Sequence, residues 1–159
     1  MVSDKATIQV EDLVIFLSGP MRGYPALNHA AFHRHEVWLS SFGFTVISPA
    51  AHDHEVGIHP EDEDFDIDAD TFGTETISTL MEWCLTKVLR EATMVALLPG
   101  WEQSKGALAE IAAAKAVGIP VFEIDRPGEQ LLLLSAHVTV KLNDTPSPVA
   151  MILMPRDGA

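Results

Sequence analysis

Residues Thr93–Ile124, TMVALLPGWEQSKGALAEIAAAKAVGIPVFEI, carry the pattern of a strand, a loop, a helix and a second strand. Met94–Leu98 is a short apolar run followed by Pro and Gly, which predicts a buried strand ending at a turn. From Ser104 apolar residues recur at helical spacing until Gly118, and Val121–Ile124 then forms the next strand. A helix that connects two such strands makes a right-handed crossover in a parallel sheet.

The preceding part of the chain repeats this order. Leu13–Leu17 is an apolar run that predicts the first strand, and Asn28 is placed to cap a helix that ends at Gly43. Phe44–Ile47 supplies the second strand. Ile77–Ala92 predicts a further helix before the Thr93–Ile124 segment.

The end of the chain adds smaller elements. We expect a short helix over Glu129–His137 and a last strand over Val138–Leu142. We divide the chain into an N-terminal extension (1–12), one domain (13–142) and a C-terminal tail (143–159). The predicted fold is α/β, a flavodoxin-like doubly wound parallel sheet of about five strands.

Polar residues cluster where the predicted strands end, which is where ligands bind in such sheets. The loop after the first strand contains Arg22, a suitable group for binding an anion, although an exposed arginine in an ordinary turn has the same pattern. Glu110 lies early in a helix built of Ala and Ile, near the positive end of the helix dipole. It is either a carboxylate directed at a ligand or a solvated glutamate that stabilises the helix start.

The segment His52–Glu75 is rich in Asp, Glu and His, so metal binding has to be considered. His52, His54 and His59 are close in sequence, but they lack the spacing of a calcium loop or of a zinc-binding helix. We therefore favour a solvated, mobile acidic loop that can act as a lid, with no metal.

Composition excludes several classes of function. The net charge of −13 opposes binding to polymeric nucleic acid or to an anionic membrane surface. The single cysteine, Cys84, excludes an internal disulfide. The polar first residues argue against a signal peptide, and no apolar run is long enough to cross a membrane. We expect a cytoplasmic protein.

Three stretches carry a resemblance to a known family: SGPMRGYPALNHAAF at 18–32, VISPA at 46–50 and LLPGWEQSKGALAEIAAAKAVGIPV at 97–121. With the order of strands and helices, they make the chain resemble the nucleoside 2-deoxyribosyltransferase superfamily. It looks closest to a phage-borne branch without an assigned function, and it is similar to the 2′-deoxynucleoside 5′-monophosphate N-glycosidases. The resemblance spans roughly residues 13–125.

The resemblance implies roles for individual residues. Glu110 matches the glutamate that attacks C1′ of the sugar, and Arg22 and Ser104 match an arginine and a serine that hold a 5′-phosphate. We also expect Arg22 to compensate the charge of Glu110. The full set of expected substrate-binding residues is Ser18, Gly19, Met21, Arg22, Tyr24, Asn28, His52, Gly100, Trp101, Ser104 and Gly106.

One family residue is missing. The aspartate that usually assists the leaving base would fall at Cys84 or Leu85, so Glu82 is our candidate for a second catalytic residue, with Asp70 and Glu75 as alternatives.

The predicted function is cleavage or transfer at the N-glycosidic bond of a (deoxy)nucleoside 5′-monophosphate, without a cofactor. The alternatives are a non-catalytic nucleotide-binding module and a metal-dependent phosphohydrolase that uses the His-rich segment. The apolar run Val149–Met154 predicts a homodimer or larger homo-oligomer.

Overall fold

A five-stranded sheet forms the centre of the computed structural model, which describes residues 12–61 and 74–124 together with the strand Leu131–Leu133. The strands lie in the order β2-β1-β3-β4-β5, and the first four are parallel while β5 pairs antiparallel with β4. Their bounds are Val14–Ser18 (β1), Thr45–Ile47 (β2), Met94–Leu97 (β3), Val121–Ile124 (β4) and Leu131–Leu133 (β5).

Helices cover both faces of this sheet. They span His29–Ser40 (α1), Pro49–Glu55 (α2), Thr74–Arg90 (α3) and Lys105–Ala116 (α4). One core cluster joins residues of α1 to the sheet, and a second joins residues of α3 and α4 to the opposite face. The strand order and the two covered faces confirm the predicted flavodoxin-like, doubly wound α/β fold.

Alternation along β1 shows how the sequence produces two cores. Ile15 and Leu17 point into the cluster on the α1 side, whereas Phe16 points into the cluster on the side of α3 and α4. All three are fully buried. Burying a large apolar side chain contributes about 1.5–3 kcal/mol, so an apolar strand between two helical layers is strongly favoured over an exposed one.

The helix predicted over Glu129–His137 is wrong for Leu131–Leu133, which form β5. A short leucine run suits a helix or a buried strand equally well, and here β4 offers a free edge whose backbone groups need hydrogen-bond partners. The last strand predicted over Val138–Leu142 and the apolar run of the tail lie outside the described residues, as do residues 1–11.

Two local predictions also need correction. Asn28 does not cap α1 with its side chain; its backbone is left-handed, at φ 60°, and its Nδ2 donates a hydrogen bond to the Pro20 carbonyl at 2.9 Å. The segment predicted as an acidic loop begins inside a helix, because α2 runs to Glu55. Pro49 occupies the first turn of α2, where its missing N–H costs nothing. Residues 62–73 of that segment are outside the described ranges.

In the part of the chain that the structure describes, no helix combines the length and apolar character needed to cross a membrane.

Candidate functional site

A cavity of about 490 Å³ lies where the loop after β1 meets the start of α2, one side of α3 and the first turns of α4. This is the carboxyl end of the parallel strands, as the fold predicts. Its volume falls within the range of sites for small molecules. Apolar surface dominates the cavity wall, and the polar groups come from a few side chains.

Two buried acidic residues, Glu110 and Asp53, line this cavity, and Glu110 is the one on α4. Its side chain lies in the second turn of α4 and is 5% exposed. The Ser18 hydroxyl, at the end of β1, donates a hydrogen bond to Glu110 Oε2, and the Cys84 thiol on α3 makes a second hydrogen bond. Burial raises the pKa of Glu110 to about 7, although both hydrogen bonds oppose the rise. A carboxylate with such a pKa is available both as a nucleophile and as a proton carrier near neutral pH.

Cys84 serves Glu110 as a hydrogen-bond donor. Burial raises the pKa of the Cys84 thiol, and the neighbouring Glu110 carboxylate raises it further. The thiol therefore stays protonated at neutral pH and is not a nucleophile.

The expected charge pairing between Arg22 and Glu110 is not present. Arg22 is exposed, and no ion pair to it occurs within residues 12–61 and 74–124. The partners of Glu110 are the neutral donors Ser18 and Cys84. Neutral donors stabilise the carboxylate less than a cation would, which agrees with its raised pKa.

The first turn of α4 provides a site for an anion. Ser104 is the N-cap of this helix, and its Oγ accepts a hydrogen bond from the N–H of Ala107 at 3.2 Å. The N–H groups of Lys105 and Gly106 lie in the first turn, so they have no carbonyl partner within the helix and can bind an anion. Arg22 and Lys105 are both exposed and both line the cavity. Positive charge thus lies on the open side of the cavity, and Glu110 lies at the buried side.

Close backbone packing brings the loop after β1 onto the end of β3. A Cβ added at Gly19 would lie only 2.8 Å from the Leu98 Cβ, so a larger residue would push the loop away. Gly100 has φ +88°, and a Cβ there would lie 2.5 Å from the Tyr24 hydroxyl. Both positions therefore require glycine for this loop arrangement.

An aromatic pair forms another part of the wall. The rings of His52, on α2, and Trp83, on α3, stack with centroids 3.8 Å apart and planes inclined by 3°. Both residues line the cavity. The Nδ1 atom of His52 is buried and has no hydrogen-bond partner among the residues that the structure describes, and a carboxylate oxygen of Glu55 lies 3.6 Å from it. The stacked pair therefore gives this part of the cavity wall a flat aromatic surface.

The structure brings together most of the residues singled out in the sequence. Those that line the cavity are Gly19, Met21, Arg22, Tyr24, His52, Ser104, Gly106 and Glu110. Ser18 contacts Glu110 directly.

Four other predicted residues do not line the cavity. Asn28 bonds the Pro20 carbonyl, and the Trp101 Nε1 lies 3.3 Å from a Glu123 carboxylate oxygen. Gly100 shapes the turn after β3. Glu82 is exposed and lies in a shallow groove along another face of α3.

Sequence reasoning missed several cavity residues. Lys105 directly follows Ser104 in the segment Thr93–Ile124, so the sequence could have indicated a cation at the start of this helix. The sequence contained no signal that Trp83 and Asp53 line the cavity, because their positions depend on how α3 and α2 pack beside Glu110.

A family model described as "Domain of unknown function (DUF4406)" matches residues 13–123. The chain belongs to this family. No curated protein and no solved structure matches the chain. The segment shared with the DUF4406 family runs from the residue before β1 into β4 and contains every cavity residue named above. Because the family description names no activity, the function has to be argued from the site.

Proposed function

We propose that the protein cleaves or transfers the N-glycosidic bond of a (deoxy)nucleoside 5′-monophosphate, with Glu110 as the nucleophile. The observation that carries the proposal is a buried carboxylate inside a cavity whose open side holds two cations and a helix start. Such a cavity suits a ligand with an anionic end and a reactive centre several bonds away. A sugar phosphate carrying a base has this form, and the resemblance in the sequence points to the same class.

Glu110 is suited to attack at the anomeric carbon. With a pKa of about 7, roughly half of the carboxyl groups are ionised at neutral pH. In the first step a carboxylate oxygen forms a bond to C1′ while the bond from C1′ to the base nitrogen breaks, and the electron pair leaves with the base. Water or a second base then displaces Glu110 from C1′. Two displacements retain the configuration of the sugar.

The start of α4 is the proposed phosphate site. The N–H groups of Lys105 and Gly106 and the side chains of Arg22 and Lys105 supply donors and positive charge. The Ser104 hydroxyl holds the helix start in place through Ala107 and lies 3.4 Å from the Gly19 carbonyl oxygen, so it links the two loops around the phosphate.

The leaving base needs a proton and a flat surface. Trp83 and His52 supply apolar aromatic surface for a nucleobase. Glu82 does not line this cavity, so we assign the proton donor to His52, whose imidazole lines the cavity and stacks on Trp83. We further propose that the enzyme needs no cofactor, works in the cytoplasm and acts as a homodimer or larger homo-oligomer.

The test is to incubate the protein with a panel of nucleosides and 5′-monophosphates and to measure free base by chromatography. We expect base release from monophosphates by the parent protein and none above background by Glu110→Gln. Glu102→Gln is the matched control, because Glu102 is an exposed acid of the same segment that does not line the cavity.

Binding measurements on the same panel separate the outcomes. Glu110→Gln should still bind the monophosphate that the parent cleaves. A parent protein that binds monophosphates without releasing base would instead be a nucleotide-binding module. Activity that disappears with a chelator and returns with a divalent ion, with phosphate as the product, would favour a phosphohydrolase.

A further inference from the structure

Two histidines and a glutamate from three parts of the chain converge beside α2. His29 begins α1, His54 lies on α2, and Glu61 follows α2. The His29 Nδ1 lies 3.2 Å from the His54 Nε2, which in turn lies 3.2 Å from the Glu61 Oε2. All three ligand-type atoms lie within 4.8 Å of one another. Sequence spacing could not reveal this group, because it depends on His29 from another helix.

Asp53 fixes the orientation of His29. The His29 Nε2 lies 2.8 Å from the Asp53 Oδ2, and both side chains are nearly buried. A carboxylate only accepts hydrogen bonds, so His29 must carry its proton on Nε2. In neutral His29 the lone pair then lies on Nδ1, the atom that faces His54 and Glu61. A carboxylate that binds the far nitrogen of a histidine is the usual second layer of a protein metal site.

We propose that His29, His54 and Glu61 bind a divalent transition-metal ion, with Zn²⁺ as the best match. Imidazole and carboxylate are ligands that Zn²⁺ prefers. Ligand atoms about 2.0 Å from a tetrahedral zinc ion are separated by about 3.3 Å, close to the two 3.2 Å separations observed. The side chains of His54 and Glu61 are 45% and 52% exposed, which leaves an entry path and a fourth position for water.

The ion has a structural role. His29, His54 and Glu61 do not line the cavity that contains Glu110, whereas Asp53 does. An ion bound by these three residues joins the start of α1 to α2 and to the residues after α2. It thereby fixes the cavity wall formed by Asp53 and Ile58 without touching a substrate.

The test is a calorimetric titration of the full chain with ZnCl₂, after removal of any purification tag and treatment with a chelator. We expect one saturable Zn²⁺ site per chain. His54→Ala and Glu61→Gln should each weaken it at least tenfold, and both positions are exposed enough for the variants to fold. The matched control is His33→Ala, an exposed histidine on α1 outside the group.

A second readout monitors the structural role. Zn²⁺ should raise the melting temperature of the parent protein and of His33→Ala, but not that of His54→Ala. Absence of saturable binding would overturn the proposal, and so would a His33→Ala variant that loses as much affinity as His54→Ala. If these side chains form only a chain of hydrogen bonds from Asp53 to Glu61, no saturable Zn²⁺ binding will be observed.

Discussion

The hydroxyl of Ser18 donates a hydrogen bond to the Glu110 Oε2, across 92 positions of sequence. It joins the end of the first strand to the second turn of α4, and both side chains are buried. The contact explains why a carboxylate is tolerated in a helix that otherwise faces the core with Ala and Ile. It also makes the protonation of Glu110 depend on a single neutral donor from β1 and on the Cys84 thiol.

Removing this donor should change the pH dependence of the activity. The Ser18 hydrogen bond lowers the pKa of Glu110, so Ser18→Ala should raise that pKa and move the acid limb of the rate profile to higher pH. At pH 7 we expect the rate to fall about sevenfold, because losing a hydrogen bond worth about 1.5 kcal/mol raises the pKa by about one unit and lowers the ionised fraction of Glu110. Ser48→Ala is the control, since the Ser48 hydroxyl is also buried but has no hydrogen-bond partner within the described part of the chain. An unchanged profile in Ser18→Ala would contradict this role.

Burial of Glu110 should also appear in the stability of the fold. Below pH 4.5 Glu110 is protonated in both the folded and the unfolded state, and above about pH 7 it is ionised in both. Between these values the unfolded state ionises first, so the free energy of unfolding falls as pH rises, by about 3 kcal/mol in all. Glu110→Gln lacks this loss and should gain stability relative to the parent between pH 4.5 and pH 8. Urea unfolding of both proteins at pH 4.5 and pH 8 measures this difference in the free energy of unfolding. The same change with pH in both proteins would mean that the pKa of Glu110 is not raised.

The phosphate site makes a prediction about affinity. Arg22→Ala and Lys105→Ala should each weaken monophosphate binding by about 1.5–3 kcal/mol, because each removes a charge-assisted contact. Binding of the corresponding nucleosides should change much less. The measurement is a titration in the Glu110→Gln background, which prevents turnover, with Arg34→Ala as an exposed arginine control. Equal losses for nucleoside and monophosphate would show that these side chains support structure.

The sequence predicted the central fold because its strands are short apolar runs with distinct ends. The strand Val121–Ile124 has the predicted bounds, and the strand beginning at Met94 ends one residue earlier than expected. Prediction failed where a pattern fitted two structures. The leucines at 131–133 became a strand because β4 had an open edge, and the acidic segment began as a helix because Pro49 could start one.

The candidate site was only partly predictable for a physical reason. Arg22 was identified from the loop after a strand and Glu110 from its place early in an Ala-rich helix, which are local properties of the sequence. The role of Ser104 came from the resemblance to the family. The hydrogen bond from Ser18 to Glu110 was not predicted, and neither was the position of Trp83 in the cavity wall. These relationships depend on how α3 and β1 pack around α4, and no spacing within one segment encodes them.

The expected oligomer gives a separate prediction. If the apolar run Val149–Met154 forms a subunit contact, truncation after Pro146 should lower the mass of the assembly and the activity together. Sedimentation and activity assays at the same protein concentration test this. A truncated monomer with full activity would contradict it.

The most direct test of the central claim is peptide mapping of the protein quenched in acid during turnover of a 2′-deoxynucleoside 5′-monophosphate. Attack by Glu110 predicts that the peptide containing this residue gains the mass of the deoxyribose phosphate, and that Glu110→Gln gains none. Base release by the parent protein with no adduct on that peptide, and inversion at C1′ when methanol traps the product, would show instead that water attacks the sugar directly.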